Sequence, residues 1–307
     1  MDLSIIIVNW NTKALLHDCL RSLYSDIQHH SFEVIVVDNH SSDGSPDMVR
    51  EDFPQVVLVA NEDNRGFAAA NNQALRRAKG DHLLLLNPDT KVIDGAIDRM
   101  LAFSQAHPTA GIITCKLFNG DGSLQKSVNT FYGFWKSFVE NRFVIGLLQR
   151  FHMQKRFFMS YWDHQQTIEI DWAHGAVMLF SREVFDKVGL LDEQFYIYAE
   201  EMDYFLRVSK AGFQSWFVAD AHIIHYGQSS SRQRRSAMFI QNYKSFYLFL
   251  KKHYGLASYR LYRTRAIFYM LLWYLNFSFV RSEEAGVQRK IYWETLRWHF
   301  TKDSAIA

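Results

Sequence analysis

The stretch HLLLLNPDT, residues 82 to 90, is an apolar run with four leucines that ends in Asn87, Pro88 and Asp89. A short continuous apolar run closed by turn residues is typical of a buried β-strand. Three earlier runs have the same form and are also followed by Asn or Asp: Leu3 to Val8, Phe32 to Val37 and Val56 to Ala60. The sequence therefore predicts four buried strands, each with a polar side chain at its carboxyl end.

Helical patterns separate these strands. Apolar residues recur at spacings of three and four over Thr12 to Tyr24, Ser45 to Asp52 and Phe67 to Lys79. This alternation predicts an α/β fold with a mostly parallel sheet covered by helices, and ligands in such sheets bind beyond the carboxyl ends of the strands. The polar residues expected there are Asn9, Asn11, Asp38, Asn39, Asn61, Asn64, Asn87 and Asp89.

Two common phosphate-binding loops are missing from the sequence. No GxGxxG follows the first strand, where the chain reads VNWNT, and no GxxxxGK[ST] occurs, so dinucleotide oxidoreductases and P-loop enzymes are excluded. We therefore expect a divalent cation at Asp89, after the turn that Pro88 sets, to hold a diphosphate. The alternative is that Asp89 caps a helix beginning near Asp94.

A second acidic position lies in LDEQFYIYAEEMDYFLR, residues 191 to 207. Five carboxylates are crowded there among aromatic side chains: Asp192, Glu193, Glu200, Glu201 and Asp203. Like charges beside an apolar wall raise the pKa of at least one of them, as in a general base or a cation site. The alternative is a helix N-terminus whose dipole favours acids, and for Asp203 we favour an ion pair with Arg207 one helical turn later.

Composition indicates a large globular α/β domain with an appendage, because the chain has 307 residues, of which 48% are hydrophobic. Cys19 and Cys115 show no pairing or metal-binding spacing, which indicates a reducing compartment. The N-terminal residues resemble a first strand rather than a secretory signal.

Charge is distributed unevenly along the sequence. Residues 221 to 282 contain no Asp or Glu but ten Lys and Arg, so an acidic body with a basic, aromatic-rich face is predicted.

Five segments in one order carry a family resemblance: SIIIVNWN at 4 to 11, VVDNHSSDGS at 36 to 45, NRGFAAANNQAL at 64 to 75, LLLLNPDT at 83 to 90, and a long segment from Gly175 to Phe213. Together they resemble family 2 inverting glycosyltransferases of the GT-A fold, and within them bacterial rhamnosyltransferases. The resemblance implies a nucleotide-sugar donor, with dTDP-rhamnose favoured and a UDP-sugar as the alternative. It also implies a saccharide acceptor, and we expect one linked to lipid.

The resemblance assigns the donor site residue by residue. Asp38 matches the acid that reads the pyrimidine edge, with Asn9 and Asn11 beside it. The segment Asn64, Arg65 and Gly66 matches the part that approaches the ribose and phosphates. Asn87 and Asp89 match the DXD element, whose first acid is Asn here, and His225 matches a histidine that completes the site for Mn²⁺ or Mg²⁺. We expect Arg232 or Arg234 to assist with the leaving diphosphate.

The resemblance also assigns the acceptor side. The pair Glu200 and Glu201 matches the acidic pair that supplies the base, and we take Glu201 as the base with Glu200 in reserve, although the family usually has Asp at the second position. Trp172, His174 and Gly175 are expected to line the acceptor site. The alternative to an enzyme is a non-catalytic nucleotide- or membrane-binding module that keeps the sheet, and a nucleic-acid role is the weakest reading.

The C-terminal part of the sequence indicates where in the cell the protein contacts its acceptor. Residues 266 to 280 are uncharged but only 15 long, too short to cross a ~30 Å hydrocarbon core. With flanking arginines and Trp273, these residues indicate an interfacial helix on anionic lipid, and the region 131 to 158 has the same character. The alternative is that the helix packs on the catalytic domain or in a homodimer.

The domain organisation follows from these patterns. We expect a GT-A domain over 1–228, divided at residue 110 into nucleotide and acceptor halves, and a helical extension over 229–307. The protein is then cytoplasmic and peripheral on the inner face of the cell membrane.

Overall fold

The computed structural model describes residues 1–131, 162–227, 235–280 and 282–301. Several stretches of the sequence interpretation lie outside the described residues. These are nearly all of the basic region 131–158, the segment with Arg232 and Arg234, and Arg281.

The four predicted strands form a parallel half-sheet in the order β3-β2-β1-β4. Their bounds are β1 Leu3–Asn9, β2 Phe32–Asp38, β3 Val57–Ala60 and β4 His82–Leu86. The register pairs Asn9 with Asp38 at the ends of β1 and β2, so the polar residues that follow the apolar runs meet at one edge. All seven residues of β1 are buried, because helices cover both faces of this half.

Beyond β4 the sheet becomes mixed. The strand β11 pairs antiparallel with β4, and the order continues β11-β6-β12-β5, while β10 and β8 form a separate two-stranded sheet. The further strands are β5 Thr90–Ile93, β6 Ala110–Phe118, β7 Leu124–Gln125, β8 Val128–Asn129, β9 Ile168–Ile170, β10 Trp172–Ala173, β11 Val177–Ser181 and β12 Gln214–His225. This half brings the later part of the chain against the end of β4.

The alternative reading of Asp89 as a helix cap is wrong, because β5 follows it directly and the next helix begins only after Gly95. His225 is the last residue of the long strand β12. This strand continues through a register shift between Val218 and His222, next to the exposed Asp220.

The first three helices of the sheet domain lie where the sequence predicts them. The bounds of the helices in this domain are α1 Lys13–Asp26, α2 Ser45–Asp52, α3 Phe67–Leu75, α4 Ala96–Ala106, α5 Arg182–Val188 and α6 Glu200–Lys210. The helix α3 ends at Leu75, earlier than predicted. The chain then turns to Gly80, where a Cβ atom would lie 2.4 Å from the backbone nitrogen of Ser4, so the chain passes tightly against β1. Both cysteines are free and buried.

The C-terminal extension consists of the helical segment α7, Arg235–Ser278, and the helix α8, Glu283–His299. Gly255, with φ of 80°, breaks α7 into two helices. A buried cluster joins both parts to the sheet domain through Phe195, Ala199 and Met202. Within the ranges described, no helix is both long enough and apolar enough to span a membrane.

Candidate active site

The predicted nucleotide side of the site is built around Asp38 at the end of β2. Asn9 Nδ2 donates a hydrogen bond to Asp38 Oδ1 at 2.8 Å, and the backbone N–H of Ser41 donates to Oδ2 at 2.9 Å. Asp38 is 2% exposed, so these two donors fix the carboxylate beside a cleft of about 400 Å³ that Asp38, Ser41 and Asn61 help to line. A rigid acceptor of this kind suits the N–H of a pyrimidine ring.

Asn11 shapes the rim of this cleft rather than its floor. Its backbone has φ of 53°, a conformation that Asn tolerates better than most residues. Its N–H donates to Ser41 Oγ at 2.9 Å, and its Oδ1 accepts from the N–H of Ser42 at 2.8 Å. The structure therefore places Asn9 and Asn11 together with Asp38, as predicted.

Asn39 holds the segment from Asn61 to Gly66 by hydrogen bonds. The sequence places Asn39 at this edge of the sheet but does not predict this role. Asn39 Oδ1 accepts from the N–H of Arg65 at 3.0 Å, and Asn39 Nδ2 donates to Asn64 Oδ1 at 3.0 Å. The guanidinium of Arg65 pairs instead with the exposed Asp63, at 3.0 Å. Only the backbone of Arg65, and not its charge, is turned toward the nucleotide side.

Gly66 connects the nucleotide side to the loop before α6. It has φ of 84°, and a Cβ atom there would lie 2.5 Å from the carbonyl oxygen of Tyr196. The next residue, Phe67, donates its N–H to that same oxygen at 2.7 Å, and the Tyr196 hydroxyl donates to Asn64 Oδ1 at 2.9 Å. Any side chain at position 66 would separate these two loops.

The residues predicted to face the diphosphate, Asn87, Asp89 and His225, lie together. His225 Nε2 lies 3.2 Å from Asp89 Oδ1 and 3.4 Å from Asn87 Nδ2. His225 Nδ1 is 2.7 Å from Gln125 Oε1, and because an amide oxygen only accepts, Nδ1 carries the proton. His225 Nε2 therefore points at the carboxylate of Asp89, and these two groups could bind a cation between them.

This donor set fits a divalent cation. Carboxylate oxygen and imidazole nitrogen are ligands for Mn²⁺. Gln125 accepts from the other ring nitrogen of His225 and so orients the imidazole, as hydrogen-bond partners of metal-bound histidines do. Within the ranges described, no group of three or more His, Cys, Asp or Glu side chains is placed to hold a metal. Asp89 and His225 would thus supply two ligands, and the remaining positions would be open to phosphate oxygens.

The predicted base side is the N-terminus of α6, which begins with Glu200 and Glu201. Tyr198 and Ala199 have φ of 68° and 66° and turn the chain before this helix. Glu200 is buried and Glu201 is half-buried. Burial raises the pKa of Glu201 to about 7, and burial together with the charge of Glu201 raises the pKa of Glu200 well above its usual value. One oxygen of each carboxylate, Oε2, is buried without a hydrogen-bond partner among the described residues.

The two sides of the site meet at the turn from His174 to Ala176. A Cβ atom at Gly175 would lie 3.2 Å from Glu201 Cβ, and the carbonyl of Ala176 accepts from the N–H of Asn87 at 3.0 Å. Trp172 and His174 lie on the same short strand and turn, with ring centroids 6.0 Å apart. The predicted acceptor-side residues therefore lie between the acidic pair and the end of β4.

Asp203 behaves as predicted but with additional partners. Its Oδ2 accepts from Arg207 Nε at 2.8 Å, which confirms the expected ion pair. Its Oδ1 also lies 2.6 Å from Lys252 Nζ and 2.7 Å from His253 Nε2. Both of these residues belong to α7, so this carboxylate belongs to the interface with the extension and not to the base side.

The family follows from comparison with known proteins. The model of the glycosyl transferase family 2 matches residues 4–189, and the chain belongs to this family. The chain is therefore a glycosyltransferase, and the sequence resemblance is confirmed.

Two similar proteins are named as enzymes of this class. The chain is 26% identical over 239 residues to the N-acetylglucosaminyl-diphospho-decaprenol L-rhamnosyltransferase of Mycobacterium tuberculosis, covering 72% of this chain and 76% of the relative. It is 25% identical over 270 residues to the rhamnosyltransferase WbbL of Escherichia coli, covering 86% of this chain and 98% of the relative.

Solved structures confirm the GT-A fold. The mannosyltransferase PcManGT from Pyrobaculum calidifontis, solved in complex with GDP-Man and Mn²⁺, gives a TM-score of 0.54 at 18% identity and covers 97% of this chain and 86% of its own. Residues 1–349 of S. aureus TarS give a TM-score of 0.53 at 16% identity and cover 98% of this chain and 72% of that one.

Proposed function

We propose that this chain is an inverting glycosyltransferase that moves a sugar, with rhamnose favoured, from a nucleotide-sugar to a hydroxyl of a lipid-linked saccharide in the synthesis of cell-surface polysaccharide. The observation that carries the proposal is the two-sided site. Asn87, which contacts His225, donates its N–H to the carbonyl of Ala176 in the 174–176 turn, and Glu201 of the acidic pair lies beside Gly175 of the same turn. Opposed electrophilic and basic sides are what an in-line displacement needs.

The donor side orients the leaving group. Asp38 accepts a hydrogen bond from the pyrimidine, and the backbone around Gly66 lies close to the ribose and phosphates. Asp89 and His225 would hold Mn²⁺ or Mg²⁺, and the cation would supply positive charge to the departing diphosphate. Donor specificity then depends on the base through Asp38 and on the sugar through the space beside the 174–176 turn.

The acceptor side performs the proton transfer. Glu201 accepts the proton of the acceptor hydroxyl as its oxygen attacks the anomeric carbon. The new C–O bond forms on the face opposite the breaking C–O bond to the diphosphate, so the anomeric configuration inverts in one step. Because Glu201 packs against Gly175, a side chain at position 175 would displace the base.

A panel of nucleotide-sugars tests this proposal. We expect hydrolysis or transfer with dTDP-rhamnose, and weaker turnover with UDP-sugars and with GDP-mannose, because two relatives are named rhamnosyltransferases. The acceptor arm uses an N-acetylglucosaminyl diphosphate lipid, since one relative is named for that acceptor. A preference for GDP-mannose would contradict the donor assignment.

We also propose that the extension binds an anionic membrane surface. Apolar side chains along the second part of α7 and just beyond it are exposed on one stripe: Leu261, Phe268, Leu271, Leu272, Leu275 and Phe279. The opposite face is buried at Ala266 and Met270. Arg260 is exposed beside the stripe, which favours anionic lipid as the partner. Such contact would place the protein on the inner face of the membrane that carries a lipid-linked acceptor.

Not every basic residue of the extension is available to lipid. Lys252 pairs with Asp192 at 2.7 Å, and Arg263 donates to the carbonyl of His299. These two cations serve contacts inside the protein, so the lipid-facing charge is smaller than the acid-free sequence suggests.

Point substitutions on the stripe test membrane binding better than truncation, because Tyr259 and Met270 are buried in the cluster that supports α6. Phe268→Ser combined with Leu272→Ser should weaken binding to phosphatidylglycerol vesicles at least about tenfold, since each apolar side chain contributes roughly 1.5 kcal/mol or more when buried. Flotation or sedimentation with vesicles measures this.

The matched control is Val57→Ser in β3, whose exposed fraction of 43% is close to the 45% of Leu272. It should leave vesicle binding unchanged. Vesicle binding that survives the double substitution, with a dimer lost in analytical ultracentrifugation, would replace the lipid by a second copy of the chain.

A further inference from the structure

An ion-pair network joins the helix that carries the acidic pair to the C-terminal extension. The side chain of Asp203 in α6 is fully buried. It contacts Arg207 of its own helix at 2.8 Å, Lys252 of α7 at 2.6 Å and His253 of α7 at 2.7 Å. Lys252 also reaches Asp192 in the loop before α6, at 2.7 Å. Two acids from the sheet domain thus share the cations of the extension.

Apolar and backbone contacts follow the same path. The hydroxyl of Ser245 in α7 donates to the carbonyl of Ile197 at 2.7 Å. Phe195, Ala199 and Met202 are buried in one cluster with Tyr247 and Leu250 of α7. The extension therefore holds both the strained turn that precedes Glu200 and the first turn of α6.

The network keeps a charge inside the protein. Burial by itself raises the pKa of Asp203, but hydrogen bonds from His253, Lys252 and Arg207 outweigh burial and lower the pKa to about 2. Asp203 is thus an anion at neutral pH. A buried ion network of this kind adds little net stability compared with apolar packing, but breaking one partner is costly. Its value lies in fixing the position of the groups that it joins.

We propose that Asp203 is a positioning residue through which Lys252 and His253 of the extension set the geometry and the charge of the Glu200–Glu201 pair. The inference rests on the proposed role of that pair in catalysis. It gives the extension a part in the reaction itself, beyond contact with lipid, because the residues that orient the base lie about 50 positions after it in the chain.

The charges around the pair determine the sign of each effect. Asp203 and Arg207 lie on the same helix, Lys252 and His253 face it from α7, Asp192 lies in the preceding loop, and His174 lies in the turn on the other side. The charge of Asp203 is one of the contributions that raise the pKa of Glu200, after burial and Glu201. Removing the Asp203 charge should therefore ease ionisation of the pair, whereas removing the Lys252 charge should hinder it.

The test follows the titration of the pair directly. The full-length protein is labelled with ¹³C at the Glu side-chain carboxyl, and Glu200→Gln and Glu201→Gln assign the two high-pKa signals by NMR. Asp203→Asn should move the apparent pKa values of the pair down, and Lys252→Met should move them up, each by on the order of one pH unit. The acid limb of kcat/KM should move in the same two directions.

Opposite shifts are the signature of the proposal, because loss of a merely structural ion pair would impair both variants in the same sense. The matched control is Lys290→Met, which removes the same charge from an exposed pair with Glu294 on α8 and should shift nothing. If Asp203→Asn does not fold, the upward shift in Lys252→Met carries the test alone.

Two failures are distinguishable. Unchanged titration of the pair in both variants, or shifts in the same direction, would overturn the positioning role even if Glu201→Gln is inactive. Full activity in Glu200→Gln and Glu201→Gln would instead remove the proposed base, whatever the titration shows.

Discussion

Glu201→Gln is expected to lower kcat by roughly 10² to 10⁴ while donor affinity changes little, because glutamine keeps the size and hydrogen bonding of the side chain but accepts no proton. Burial raises the pKa of Glu201 to about 7. Since the base must be ionised, kcat/KM of the wild type should rise with pH through about 7 and level off above it. The pH profile of kcat/KM and a donor-binding titration measure the two parts of this prediction.

Glu200→Gln is the matched comparison, because it makes the same change one residue earlier in the same buried pair. It should reduce kcat less, and it should move the acid limb to lower pH, since the neighbouring carboxylate no longer competes for ionisation. A larger loss in Glu200→Gln would transfer the base to Glu200. Wild-type rates in both variants would remove the acidic pair from the mechanism.

Asp89→Ala should lower turnover by about 10²-fold or more, because the cation that it holds would supply several kcal/mol of charge stabilisation to the leaving diphosphate. EDTA should abolish turnover of the wild type, and Mn²⁺ should restore it. His225→Ala should weaken activation by Mn²⁺ more than activation by Mg²⁺, since imidazole suits Mn²⁺ better. Initial rates over a range of metal concentrations measure all three effects.

The control for Asp89→Ala is Asp94→Ala, which removes a carboxylate with 65% of its side chain exposed at the far end of β5. It should leave the metal dependence unchanged. Wild-type rates in both the chelated enzyme and Asp89→Ala would contradict the metal role.

The position of Asp38 and Asp89 at one edge of the sheet was predictable from the sequence for a simple geometric reason. Asp38 and Asp89 each follow a short apolar run, and parallel strands bring such residues to one edge of the sheet. Register then places Asn9 opposite Asp38. The short spacing between strand and polar residue leaves little freedom, so local pattern alone locates these side chains.

The contacts that complete the site were not predictable in the same way. Gln125 and His225 are 100 residues apart, and their contact depends on β12 running past the bulge at 218–222 to the end of the sheet. Neither residue has a local pattern that indicates a partner. Gln125 lies on a two-residue strand, too short for any periodicity to predict.

The extension shows that the composition of a segment does not reveal which of its charges face lipid. The acid-free, basic stretch predicted a lipid-facing surface, yet its residue Lys252 pairs with Asp203 and Asp192 of the sheet domain. A charge count over a segment cannot tell which cations face solvent and which meet an acid from elsewhere in the chain. Only the packing of α7 on α6 shows that some of this charge contacts the helix that carries the acidic pair.

The anomeric configuration of the product tests the central claim most directly. The enzyme, Mn²⁺ and the best donor of the panel are incubated with the N-acetylglucosaminyl diphosphate lipid, and the coupling constants of the anomeric carbon and proton in the isolated product are measured by NMR. Direct displacement with Glu201 as base predicts a configuration opposite to that of the donor. A product with the donor's configuration would contradict the account.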